Sequence, residues 1–183
     1  MPRTIQRSTV LEVLDLAIEL ERKTMELYAG FMRAFADDAE FSDFWFSMAR
    51  HEASHCGALA LVECILKEEA GDAARSQISF DSRIVVRLRG LLAGYRRELK
   101  RGIDAPRALA MAVDLEASEL EDLVVELLDV VPDGGRRDQA ASMLSHDLGA
   151  LTCMIEKYCT DGALLARADE LLDVRHAAES ERH

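Results

Sequence analysis

Proline is scarce in this chain, three residues among 183, so little in it interrupts a long helix. Cysteine is nearly as sparse. The four thiols, Cys56, Cys64, Cys153 and Cys159, form no C-x-x-C pair, which excludes a zinc knuckle or a rubredoxin-type iron site and leaves reduced, buried thiols as the expectation. No apolar run approaches the roughly 20 residues that span a bilayer. The opening stretch MPRTIQRSTVLEVLDL has neither the apolar core nor the small-residue cleavage site of a secretory leader, so a cytoplasmic location is expected. Basic charge is also short: 22 Lys and Arg against 34 Asp and Glu give a net charge of -12. That balance disfavours nucleic acid and anionic membranes as partners and favours cations.

What the chain does contain is helix-forming sequence. Hydrophobic residues make up 49% and charged residues 31%, the profile of one folded, all-α domain over 1–183. A first helix is predicted from about Thr9 to Phe35, opened by a capping box, Thr9-x-x-Glu12. Its seam, Leu14, Ile18, Met25, Tyr28, Met32 and Phe35, steps by four and three residues and is interrupted by Glu21. A second helix, over 41–69, has the seam Phe41, Trp45, Met48, Leu59, Val62 and Leu66, interrupted by Glu52 and His55. Trp45 with Phe41, Phe44 and Phe46 is expected to close one end of the bundle.

Residues 70–103 read as a connector holding a shorter helix. Its Arg83, Arg87, Arg89, Arg96, Arg97, Lys100 and Arg101 form a solvated basic face with alkyl stems over the bundle. Asp104-Ala-Pro106 starts a third helix running to about Val130, with Leu109, Val113, Glu116, Leu120, Leu123 and Leu127 on its seam. Pro132-Asp-Gly-Gly135 is a turn. A fourth helix, over 137–159, carries Met143, Asp147, Ala150 and Met154 on one line, with Leu144, Leu148, Leu151 and Ile155 beside it. Residues 161–183 hold a short outer helix, about Ala163 to Val174, and a polar tail that frays. No alternating segment reads as a strand.

The chain repeats itself. Shifting the first helix by 95 residues lays Leu14 on Leu109, Ile18 on Val113, Glu21 on Glu116 and Phe35 on Val130. The same shift takes Met48 to Met143, His51 to His146 and Glu52 to Asp147. One offset across two helix pairs implies a duplicated helical hairpin, with halves at about 9–69 and 104–160.

The stretch HEASH, 51–55, has two readings. As His-Glu-x-x-His it is the zinc-protease signature. One protease class then needs Gly and His at positions 58 and 61, which here are Ala and Leu, and Glu21, Glu116 and Asp147 would stay unexplained. As Glu52-x-x-His55 it is the pair that helical bundles use to hold iron or manganese. A buried ionised carboxylate is costly unless compensated. Glu21, Glu52, Glu116 and Asp147 are expected to converge at mid-bundle, with Glu119 one turn from Glu116 and His55 one turn from Glu52. The bland alternative is a buried polar network without metal. The functional one is a pair of divalent cations offsetting the carboxylate charge. Oxygen-rich ligation with imidazole suits iron or manganese, and zinc also fits. Tyr28, two turns from Glu21, either hydrogen-bonds toward the site or is simple core.

AIELERKTMELY (17–28) and MARHEASHCGAL (48–59) resemble the ferritin-like superfamily, specifically the rubrerythrin-type di-iron carboxylate proteins, over about residues 10–160. The resemblance implies a ferritin-like four-helix bundle of two repeated hairpins, with a connecting helix and a short C-terminal helix. It implies metal ligation by Glu21 from the first helix, Glu52 and His55 from the second, Glu116 and Glu119 from the third, and Asp147 from the fourth. The family usually has glutamate where Asp147 stands and histidine at Ala150, so the chain departs there. Oxidoreductase chemistry of ferroxidase or peroxidase type is implied, with ferrous iron reacting with dioxygen or hydrogen peroxide. A homodimer is implied too, and, with no rubredoxin domain present, a separate electron donor. The departures imply an alternative: a ferritin-like scaffold with a one-metal or empty site, acting in metal handling or partner binding.

Overall fold

The computed structural model describes residues 5–69, 77–118, 135 and 148–180. In chain order they form strand β1 (Ile5–Thr9), helices α1 (Val10–Ala34) and α2 (Ala39–Glu69), strand β2 (Gln77–Asp81), and helices α3 (Ser82–Leu99), α4 (Ala105–Glu116), α5 (Leu148–Tyr158) and α6 (Gly162–Ser180). The described residues are thus mostly helical, and no helix among them is long and apolar enough to cross a membrane.

Local signals set the helix starts. Thr9 is extended and its hydroxyl accepts the Glu12 amide at 3.3 Å, while the Glu12 carboxylate accepts the Thr9 amide at 2.8 Å. This is the predicted capping box. Asp38 accepts the Phe41 amide at 3.1 Å and opens α2 after a short turn. Asp104 accepts the Arg107 amide at 2.9 Å with Pro106 in the first turn of α4. Gly102, with φ of 97°, supplies the left-handed residue of the α3–α4 turn.

Three expectations need correction. First, β1 and β2 pair antiparallel, Ile5 opposite Asp81 and Thr9 opposite Gln77. Five-residue segments are too short to stand out by alternation, and they become strands only through each other's backbone groups. Second, the connector helix α3 is a core element. Val85, Leu88, Leu92 and Tyr95 are buried. Arg89 binds Glu19 and Arg96 binds Glu26, each pair 70 residues apart, so α3 lies along α1 in the same direction. α1 consequently buries two adjacent lines: Leu14, Glu21 and Tyr28, and a second through Ala17, Leu20, Thr24 and Leu27.

Third, element ends differ. α4 stops at Glu116, where the Ala117 amide turns back to the Val113 and Leu115 carbonyls, against a helix predicted to Val130. Residues 119–134 lie outside the described set. α6 continues to Ser180, past the predicted end at Val174. Within α5, Leu148, Leu151 and Ile155 are buried and Ala150 is exposed, so the inward line is the leucine line rather than the one through Ala150.

The aromatic end forms largely as predicted. Trp45, Phe31, Phe41 and Phe44 are buried together, Phe31 and Trp45 meeting edge-on at 4.7 Å. Tyr158 of α5 stacks on Phe41 at 4.4 Å and donates its hydroxyl to Asp38 at 2.7 Å, tying α5 to the α1–α2 turn. Phe46 is the exception, 58% exposed, because it lies on the opposite face of α2.

Candidate metal centre

Three helices bring acidic residues to one buried point. Glu21 comes from α1, Glu52 and His55 from successive turns of α2, and Glu116 from the last residue of α4. The i, i+3 spacing of Glu52 and His55 points both toward α1. Glu21, Glu52 and His55 are each 3% exposed and Glu116 is 5% exposed. His55 Nδ1 is 3.5 Å from Glu21 Oε2 and 3.5 Å from Glu52 Oε2. One ligand atom from each of the three lies within 4.8 Å of the others. Ligands bonded at about 2.0–2.2 Å to one ion lie up to roughly 4.4 Å apart, so modest side-chain adjustment closes a coordination sphere.

The electrostatics are those of a site short of positive charge. Burial pushes the Glu52 carboxyl well above the usual glutamate value, reinforced by its hydrogen bond to Glu21 and the charges of Glu21 and Glu116. Each of these influences disfavours the ionised form of Glu52. Tyr28 donates its hydroxyl to Glu116 Oε1 at 2.8 Å. Burial, with Glu116 and Glu52 beside it, raises the phenol well above its ordinary value, so it remains a donor and fixes one Glu116 oxygen. Of its two sequence readings, the hydrogen-bonded one holds.

The four groups face a cavity of about 20 Å³ whose other walls are Leu20, Leu88, Leu92 and Leu115, with Thr24 and Ser118 at its edge. Leu88 and Leu92 belong to α3. In the sequence Val85, Leu88, Leu92 and Tyr95 recur at helical spacing, but the basic residues around them mark only the solvated side of the helix. The cavity has room for one water-sized occupant.

The structure thus brings together Glu21, Glu52 and His55 as a ligand group, with Glu116 on the same cavity. Glu119 and Asp147 lie outside the described residues, as does His146. His51 is half-buried and does not belong to the group found among the described residues, so only the second and fifth letters of HEASH join that group. Comparison with protein-family models, with curated proteins and with solved structures finds no match to this chain.

Proposed function

We propose that this chain is a ferritin-like, rubrerythrin-type metalloprotein whose Glu21, Glu52, His55 and Glu116 hold a divalent transition metal in the interior of a helical bundle. The observation that carries the reading is the ligand group itself: two carboxylates and an imidazole, all buried, within 4.8 Å of one another. The donor set fits such an ion. Burial, Glu21 and Glu116 all raise the Glu52 carboxyl, and a cation held among these carboxylates would favour its ionised form.

Oxygen-rich ligation with one imidazole favours iron or manganese. The 95-residue repeat and the Glu52-x-x-His55 pair support the family reading. Ferrous iron in this position would supply electrons to dioxygen or hydrogen peroxide, with a separate electron donor restoring the reduced state. The chain's own residues have defined parts. Glu21 and Glu52 would bind the ion as carboxylates, and His55 Nδ1 faces both of them. Tyr28 orients Glu116. Leu20, Leu88, Leu92 and Leu115 exclude bulk water, which strengthens every charge interaction inside.

A second reading, a one-metal scaffold acting in metal handling, is favoured by the cavity of about 20 Å³. Metal analysis of protein purified without chelator separates the two. About two iron or manganese ions per chain, with rapid oxidation of added ferrous iron, supports the redox protein. One ion and no oxidation supports the scaffold. No metal at any loading, with Glu52→Ala behaving like wild type, defeats both.

A further inference from the structure

α2 is apolar on two sides. Its inner side carries the metal centre and core. On its outer side Phe46 and Leu61 are 58% and 51% exposed, and Ala53, Gly57 and Cys64 continue the same exposed line at steps of three and four. Among the described residues Gly57 has no neighbour that requires it to be small: a Cβ built there meets none of their atoms within 4 Å, while glycine inside a helix costs stability relative to alanine. A residue that gives up helix stability without an internal neighbour leaves room for something approaching from outside.

The line is symmetric about position 55. Ala53 and Gly57 stand two residues to either side, Phe46 and Cys64 nine, and the exposed Asp43 and Lys67 twelve. Small residues therefore occupy the middle, apolar ones flank them, and opposite charges close the ends. Two such helices laid antiparallel place Ala53 against the partner's Gly57. Phe46 then meets the partner's Leu61 and Cys64, and Asp43 meets the partner's Lys67, each contact occurring twice. A parallel alignment would instead oppose like charges. Lys67 already binds Glu63 of its own helix, but an ammonium has three donors and retains capacity for Asp43. Arg50, the one charge between the ends, falls beside the partner's Ala60, where its stem covers apolar surface and its head reaches water.

We propose that this face of α2 is the contact between two copies of the chain, an antiparallel α2–α2 pair about a twofold axis at the level of position 55. The contact spans about 36 Å of helix between Asp43 and Lys67. Each metal centre lies on the far side of its own α2, so the proposal does not depend on the metal reading.

Sedimentation velocity of the full chain tests it. The wild-type chain is expected to sediment as a dimer. Asp43→Lys and Lys67→Asp are each expected to weaken the dimer by roughly tenfold, and the double exchange to restore it. Gly57→Trp, at an exposed position whose Cβ meets no described atom within 4 Å, is expected to be monomeric with unchanged helical circular dichroism. A wild-type chain that stays monomeric at hundreds of micromolar overturns the proposal. So does a dimer indifferent to Gly57→Trp, or a double charge exchange no better than either single one.

Discussion

The α1–α2 hairpin contains two buried regions about two helical turns apart, and they meet the cost of burial in opposite ways. At the turn end, Trp45, Phe31, Phe41 and Phe44 are closed off with Tyr28 and Tyr158 around them. Every contact there is gained on folding, by area and by edge-on ring geometry. At mid-helix Glu21, Glu52 and His55 are buried as deeply, and burial together with Glu21 and Glu116 raises the Glu52 carboxyl. The two regions share helices, seam and depth, and differ only in side-chain chemistry. Stability accordingly resides at the aromatic end. The mid-helix cluster carries the cost of burying ionisable groups, and on the proposed reading a bound cation would offset it.

The sharpest test of that division is Trp45→Ala. It should cost about 3–5 kcal/mol in chemical denaturation while the folded fraction keeps its full metal content. Metal loss in step with the aromatic residue would mean that the two regions are one unit. The opposite substitution is Glu52→Leu. It should raise the stability of the metal-free chain by about 1–4 kcal/mol, since Glu21 keeps His55 as a partner, and abolish metal binding. A metal-free Glu52→Leu chain less stable than wild type would show that the cluster is no liability.

Tyr28 joins the two regions, stacking toward Trp45 with ring centroids 5.6 Å apart and donating to Glu116. Tyr28→Phe keeps the ring and removes the donor, so it should cost about 1–2 kcal/mol by leaving a Glu116 oxygen buried with one hydrogen bond fewer. Equal stability with and without the hydroxyl would place Tyr28 wholly in the aromatic cluster.

The smallest effect is in pH. Glu52, raised by burial and by Glu21, contributes stability that is fully present below its ordinary value of 4.5 and fades as pH rises through its raised value. Asp38, lowered by the Tyr158 hydroxyl and the Phe41 amide, contributes above its ordinary 3.8 and loses that contribution as pH falls through its depressed value. Unfolding of metal-free protein followed across pH should therefore lose its alkaline decline in Glu52→Gln and part of its acid decline in Asp38→Asn. If both variants change the same limb, the two carboxyls do not differ as described.

Much of this was legible along the chain because it rests on neighbours three or four residues apart. Thr9 and Glu12 announce the start of α1, Asp104 and Pro106 that of α4, and both form as expected. Glu21, Glu52, His55 and Glu116 were visible as polar residues on apolar seams, and all four are buried. The β1–β2 ribbon was not legible, since Thr9 and Gln77 meet only after the hairpin between them has folded. Nor was the place of α3: its Leu88 and Leu92 become walls of the cavity because its buried face packs along α1, where Arg89 and Arg96 also reach Glu19 and Glu26. Phe46 shows the same limit from the other side. Its letter suggests core, and its angle on α2 puts it outside.

Sequence alone determined that the chain is largely helical, where α1 and α4 begin, and which side chains carry ionisable groups on an apolar face. These follow from hydrogen bonds and periodicities contained within a turn or two. Tertiary structure alone decided that Glu21 meets Glu52 and His55, that Glu116 shares their cavity, and that α3 lines it. Those outcomes depend on the relative rotation and placement of helices, which only packing between distant parts of the chain can set.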